Sequence, residues 1–169
     1  MSETTTTLLG QASRTRREAR LERVLPGTPD AVWAAWTDPA LLPSWFGPVL
    51  AGVPGPDQEY VLEGRGDHGD TITCRVLQWR EPELLEHTWR YIGESADSVL
   101  RVEISPAGDG TLLRLRHGDL PSEVDPADYC AGWHMYTDAM EARLQGREPV
   151  ADSDARWLEL LPAYSAAAE

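Results

Sequence analysis

LERVLPGTPDAVWAAWTDPALLPSWFGP, residues 21–48, holds two helix-start patterns in close succession. In Thr28-Pro29-Asp30 the threonine can cap a helix through its side-chain oxygen. The proline's fixed φ suits the first helical position, and the carboxylate faces the positive end of the helix dipole. Asp38-Pro39 repeats the punctuation and predicts a second short helix carrying Leu41, Leu42, Trp45 and Phe46, ended by Gly47-Pro48. Trp33 and Trp36 lie three apart on the first helix and so share a side.

Upstream, residues 16–25 alternate charged positions imperfectly with Ala19 and Leu21, which predicts an opening strand with one wet face. Residues 1–14 are polar and Thr-rich without a hydrophobic period, and are expected to form a disordered arm because they cannot repay their ordering entropy. Downstream, Val53-Pro54-Gly55-Pro56 reads as a loop. Strands are then predicted at 58–63, 71–79, 84–92, 98–104 and 111–117, divided by Gly- and Pro-containing turns, which makes an antiparallel meander. Asp125-Pro126-Ala127-Asp128 opens the longest element, a helix with Tyr129, Trp133, Tyr136, Met140 and Leu144 along one face and His134, Asp138 and Glu141 on another; Gly146 closes it. In 154–161, Trp157, Leu158, Leu160 and Leu161 predict a docked helical turn or two stopped by Pro162. The expected organisation is an arm (1–14), one domain (15–147) and a tail (148–169).

A chain of 169 residues with 41% hydrophobic and 25% charged residues has the size and balance of one globular domain. No apolar run approaches the roughly 18 residues that cross a bilayer, so no membrane association is expected. The net charge of −13 argues against nucleic acid, whose phosphates want clustered cations. All fifteen basic residues are arginine, which removes Schiff-base, P-loop and general-base lysines together. Cys74 and Cys130 form no disulfide framework or CxxC pair, and the N-terminus lacks the apolar core of a signal peptide, so a reducing cytoplasm is the expected setting.

His68, His87, His117 and His134 share no metal spacing, and Asp67-His68-Gly69-Asp70 reads as a solvated turn, so no metal or other cofactor is expected. There is no G-x-S-x-G, G-x-G-x-x-G or Walker loop. Most carboxylates stand at turns and helix starts, where they cap. The informative feature is alternation in the sheet. Leu85, His87, Trp89 and Tyr91 share one face of their strand; Leu100, Val102 and Ile104, then Leu113, Leu115 and His117, and also Ile72, Cys74 and Val76, form matching sets. Two histidines, a tyrosine and a tryptophan among apolar neighbours must each find a partner if buried. Either the rings fill a core and satisfy one another, or they line a partly wet cavity.

The order of elements is that of the α+β helix-grip fold, a curved antiparallel sheet wrapped around a long C-terminal helix. Residues 21–48, with the TDP-to-WFGP pattern, together with VLQWREPELLEHTW (76–89), the hairpin with GDGT at its turn, and AGWHMYTDAMEARLQG (131–146), resemble the activator-of-Hsp90-ATPase-like family of the START and polyketide-cyclase superfamily. The resemblance covers residues 16–146. It implies a cavity between sheet and helix, with Trp133, Tyr136 and Met140 contributed by the helix and His87, Trp89, Tyr91 and His117 by the sheet; Cys74, Val102 and Leu115 complete the expected ligand-binding set. Two departures stand out: residues 54–59 lack the glycine pair often found before the family's second strand, and the tail beyond Glu148 lies outside the motif.

The leading expectation is a binding module that sequesters or carries a small hydrophobic, aromatic or polyketide-like molecule, in secondary metabolism or self-resistance. The runner-up is a cyclase or dehydratase with His87 or His117 as general acid or base, since an unperturbed histidine titrates near neutral pH. Chaperone interaction comes third: Hsp90-stimulating members carry a separate N-terminal domain, and only about fifteen residues precede the fold here, so an Hsp90-type partner is not expected.

Overall fold

The structure, a computed structural model, describes residues 6–64, 69–150 and 153–169. Eight strands, β1 (Gly10–Ser13), β2 (Glu18–Leu25), β3 (Val49–Gly52), β4 (Glu59–Glu63), β5 (Thr71–Arg80), β6 (Leu84–Tyr91), β7 (Ser98–Ala107) and β8 (Gly110–Gly118), join in the order β1-β2-β8-β7-β6-β5-β4-β3. Every pairing is antiparallel. The helices are α1 (Pro29–Thr37), α2 (Pro126–Leu144) and α3 (Ser153–Ala167), with a 3-10 turn at Leu42–Ser44. This is the α+β, helix-grip arrangement: a curved open sheet with the long α2 against it.

Two of the helix starts behave as their residues dictate. Thr28 Oγ1 accepts from the Ala31 N–H at 3.2 Å, and Asp125 Oδ1 accepts from the Ala127 N–H at 3.1 Å, each ahead of a first-turn proline. The second expected helix shrinks to the 3-10 turn. Asp38 is the residue after α1, its N–H donating to the Ala34 carbonyl at 2.8 Å, and its side chain folds onto the Ala40 N–H at 2.9 Å. An aspartate closing one helix in this way forms a turn.

Two further expectations are corrected, and one strand is added. The arm expected to be disordered through residue 14 contains β1, paired with β2 from Gly10↔Leu21 to Ser13↔Glu18. Ala12 is buried there against Leu160 and Tyr164 of α3, the Leu9 N–H donates to Tyr164 Oη at 3.0 Å, and Arg14 pairs with Asp125. Residues 1–5 lie outside the described ones. Residues 49–52, to which the sequence assigns no element, are the edge strand β3. Finally, α3 runs through Pro162 instead of stopping there. The ring removes one helical hydrogen bond, a cost of up to about 3 kcal/mol in a free helix; burial of Leu160 and Tyr164 on either side, against Ala127, Cys130 and Ala131 of α2, offsets it.

Deleting residues 1–14 should therefore destabilise the protein, by about 2–3 kcal/mol for the lost strand and its apolar contacts. A chain starting at Thr15 should melt several degrees below the full chain; equal melting temperatures would show that β1 contributes nothing.

Register fixes what the concave face presents. Val76, His87, Leu100, His117 and Ala19 stand opposite one another across β5, β6, β7, β8 and β2. Leu85, Val102, Leu115 and Leu21 form the parallel row toward α1. All nine are buried.

Candidate functional site

The space between sheet and α2 is filled unevenly. At one end α1 and the turn after it drive aromatic rings inward. Trp36 and Trp45 meet edge to face at 4.8 Å, Trp36 lies 5.7 Å from Trp133, and Phe46 packs 4.3 Å from Tyr136. The Trp45 indole N–H donates to the Ala35 carbonyl at 2.8 Å, locking that plug in place. Quadrupole-matched contacts of this kind add about 0.5–1.5 kcal/mol each beyond area burial.

The other end stays open as a cavity of about 430 Å³. Trp89 and Tyr91 from β6, Trp133 and Tyr136 from α2, and Ile72 and Phe46 form its inner wall. Tyr129 and Trp157 of α3 stand nearer the mouth, where Glu123 and Asp128 are exposed. On α2, Gly132 faces this space, and a Cβ built there would meet no atom within 4 Å. Of the ten residues expected to bind ligand, Trp89, Tyr91, Trp133 and Tyr136 line the cavity; Cys74, His87, Val102, Leu115, His117 and Met140 are buried behind it and do not. The rows containing Val102, Leu115 and the histidines lie under the aromatic plug and α2. Glu94 and Glu123 sit in loops, which carry no periodic signal, and Trp157 is legible only as part of the docked tail.

The buried histidines act as structural rings. Trp133 Nε1–H donates to His117 Nδ1 at 3.1 Å, so the proton of the neutral ring sits on Nε2, 2.7 Å from Ser98 Oγ, whose hydroxyl donates to the Trp89 carbonyl at 3.1 Å. His87 Nδ1–H donates to the Thr88 carbonyl at 2.8 Å. Burial pushes the His87 pKa down to about 4 and that of His117 to about 3, with the nearby His87 ring adding to the fall at His117. Neither ring is among the residues that line the cavity. His134 pairs with Tyr164 Oη at 2.7 Å in the α2–α3 contact, while Asp67 and His68 lie outside the described residues. Cys74 and Cys130 are buried thiols whose pKa burial raises, that of Cys130 to about 12. Among the described residues no group of three His, Cys, Asp or Glu side chains could hold a metal.

The hydroxyls at the mouth are tied to carboxylates. Tyr129 Oη donates to Glu94 Oε2 at 2.7 Å and accepts from Trp89 Nε1 at 3.1 Å, while Glu94 Oε1 accepts from the Tyr91 N–H at 3.1 Å. The Tyr91 hydroxyl lies beside the Asp70 carboxylate. Burial, then these carboxylates, hold both phenols well above their ordinary pKa, so both remain donors. A second groove, between α2 and α3, is lined by Asp138, Glu141, Arg147, Arg156 and Glu159; several of these are paired with one another, as a solvated charged surface would be.

Residues 26–145 match the family model described as "Activator of Hsp90 ATPase homolog 1-like protein". The chain belongs to that family. No curated protein matches it. Among solved structures, CalU16 from Micromonospora echinospora is 25% identical with a TM-score of 0.70, over 88% of this chain and 86% of that one. CV1439 from Chromobacterium violaceum is 24% identical with a TM-score of 0.70, over 76% of this chain and 97% of that one. DynU16, described as belonging to the dynemicin biosynthetic locus, is 22% identical with a TM-score of 0.70, over 78% of this chain and 48% of that one. The last two likenesses show the fold alone. Among the described residues no helix is long and apolar enough to cross a membrane.

Proposed function

We propose that this member of the family binds and sequesters, or carries, a small hydrophobic molecule with a flat aromatic or polyketide-like body, in secondary metabolism or self-resistance in the cytoplasm. The observation that carries the reading is a cavity of about 430 Å³ walled by Trp89, Trp133 and Tyr136 and left open by a glycine on α2. Pockets of this volume, mostly apolar with a few placed polar groups, suit small organic ligands. The setting rests on the resemblance and on the class of ligand the cavity suits. No described residue of the cavity wall forms an activated nucleophile or a histidine pair, and a bound molecule should be returned chemically unchanged after prolonged incubation.

Gly132 supplies the test. Mid-helix glycine costs about 0.5–1 kcal/mol relative to alanine, and a Cβ has room, so Gly132→Ala should stabilise the protein by that amount in urea titration. Gly132→Phe should keep the cooperative melt while filling the cavity, and the quenching of tryptophan fluorescence by flat aromatic compounds should fall at least tenfold in affinity. Unchanged affinity in a folded Gly132→Phe protein would remove the cavity as the binding site.

A further inference from the structure

The chemistry of the cavity wall points to a more specific ligand than a flat apolar ring. The three indole N–H donors on the wall are all spent on protein acceptors: Trp89 on Tyr129 Oη, Trp133 on His117 Nδ1 and Trp157 on the Asp128 carbonyl at 3.0 Å. The Tyr129 hydroxyl is spent on Glu94, and the Tyr91 hydroxyl lies beside the Asp70 carboxylate. A neutral polyphenol or quinone would look to these groups for donors and find them engaged. Acceptors remain: Asp70, Glu94, Glu123 and Asp128 all line the cavity, and no described arginine forms an ion pair with any of the four.

Among the described residues, two arginines act on carboxylates at the mouth, and both are committed elsewhere. Arg14, acting on Asp128, forms its ion pair with Asp125 at 3.1 Å. Arg17, acting on Glu123, donates to the carbonyls of Leu120, Pro121 and Val124. No arginine or histidine among the described residues lines the cavity. The excess of carboxylate among the described residues of this recess favours a cation, and so do the negative faces of the surrounding indole and phenol rings, a cation–π attraction worth about 0.5–2 kcal/mol.

The geometry points to a cationic ligand: this cavity takes an aromatic molecule bearing a protonated amine, its ring among Trp89, Trp133 and Tyr136 and its ammonium group at the Glu94 carboxylate. This rests on the cavity reading above and adds the sign of the ligand's charge. The amine brings its own donors to the carboxylates, and Glu94, already oriented by Tyr91 and Tyr129, is the carboxylate joining the apolar wall to the mouth.

Three probes of one shape test it: 1-naphthylmethylammonium, 1-naphthalenemethanol and 1-naphthoate, titrated calorimetrically into the full chain at low salt. The ammonium should bind at least tenfold tighter than the alcohol and the naphthoate most weakly. Glu94→Gln, which keeps an acceptor for Tyr129, should cut the ammonium's advantage to about threefold or less. Asp109→Asn, at the β7–β8 turn and away from the cavity, removes the same net charge and should leave the advantage intact. Binding of all three with equal affinity, abolished by Gly132→Phe, would overturn the charge assignment while leaving the cavity reading standing. An ammonium preference equally reduced by Asp109→Asn would reduce it to an effect of the −13 net charge and overturn it too. Binding of none of the probes, or binding that survives Gly132→Phe, would fall on the cavity reading itself and take this inference with it.

Discussion

Trp133→Ala should cost about 3–5 kcal/mol and leave the protein without a cooperative melt or close to that limit, a large share of the stability of a domain this size. Trp133 sits where the wall of the cavity meets the core. Its ring lies 5.2 Å from Trp89, 5.7 Å from Trp36 and 6.0 Å from Tyr136, so truncation opens a void that three rings cannot close without leaving their rotamers. It also removes the donor to His117 Nδ1 and strands a buried acceptor, a further cost of about 1–3 kcal/mol unless water enters. Urea titration reads the effect; a loss below about 1 kcal/mol would show that α2 is not anchored at this residue.

Mild acid should weaken the fold well above the range where carboxylates titrate. In His117 a second proton would have to go on Nδ1, where the Trp133 N–H already points, and in His87 it would create a charge in a dry interior. Both folded-state pKa values, about 3 and about 4, therefore lie below the 6.5 of an unfolded chain. Between those limits the unfolded chain takes up protons that the folded one refuses, so the stabilisation is complete above about pH 6.5 and is lost as pH falls toward 4. Each unit is worth about 1.4 kcal/mol, which gives a loss of about 2 kcal/mol per ring at pH 5. His134, pushed down to about 4 chiefly by burial, acts in the same direction. The urea midpoint should fall steeply between pH 7.5 and pH 5; a flat profile over that interval would mean that the rings are hydrated.

The difference between what could and could not be read from the residues follows the range of the forces involved. Thr28 and Asp125 cap helices through atoms two or three residues away, so their roles are visible locally, whereas Asp38 carries the same signature and closes α1 because the preceding turn reaches it first. Alternation assigned the inward face of β5 through β8, since a strand's period does not depend on what covers it. β1 and β3 are only four residues each, too short for a period to show, and they owe their pairing to neighbours distant in sequence. The position of the cavity depends on which part of the inward face is covered. Trp36, Trp45 and Phe46 pack on one another at the α1 end, in the same buried core as Val102 and Leu115, while Trp157 arrives from a helix that continues through its proline. The resemblance supplied the grip; the plug of aromatic side chains, a matter of tertiary packing, decides how much of it remains hollow.

The tryptophans offer the most direct measurement, because each indole N–H gives its own signal in a ¹⁵N-correlated NMR spectrum. Titration with 1-naphthylmethylammonium should shift the signals of Trp89, Trp133 and Trp157, which line the cavity, and leave those of Trp33 and Trp79, which pack on each other 5.0 Å apart outside its wall, where they are. Shifts confined to residues of the α2–α3 groove such as Asp138 and Arg156, or no shifts at all at millimolar probe, would contradict the assignment of this cavity as the ligand site.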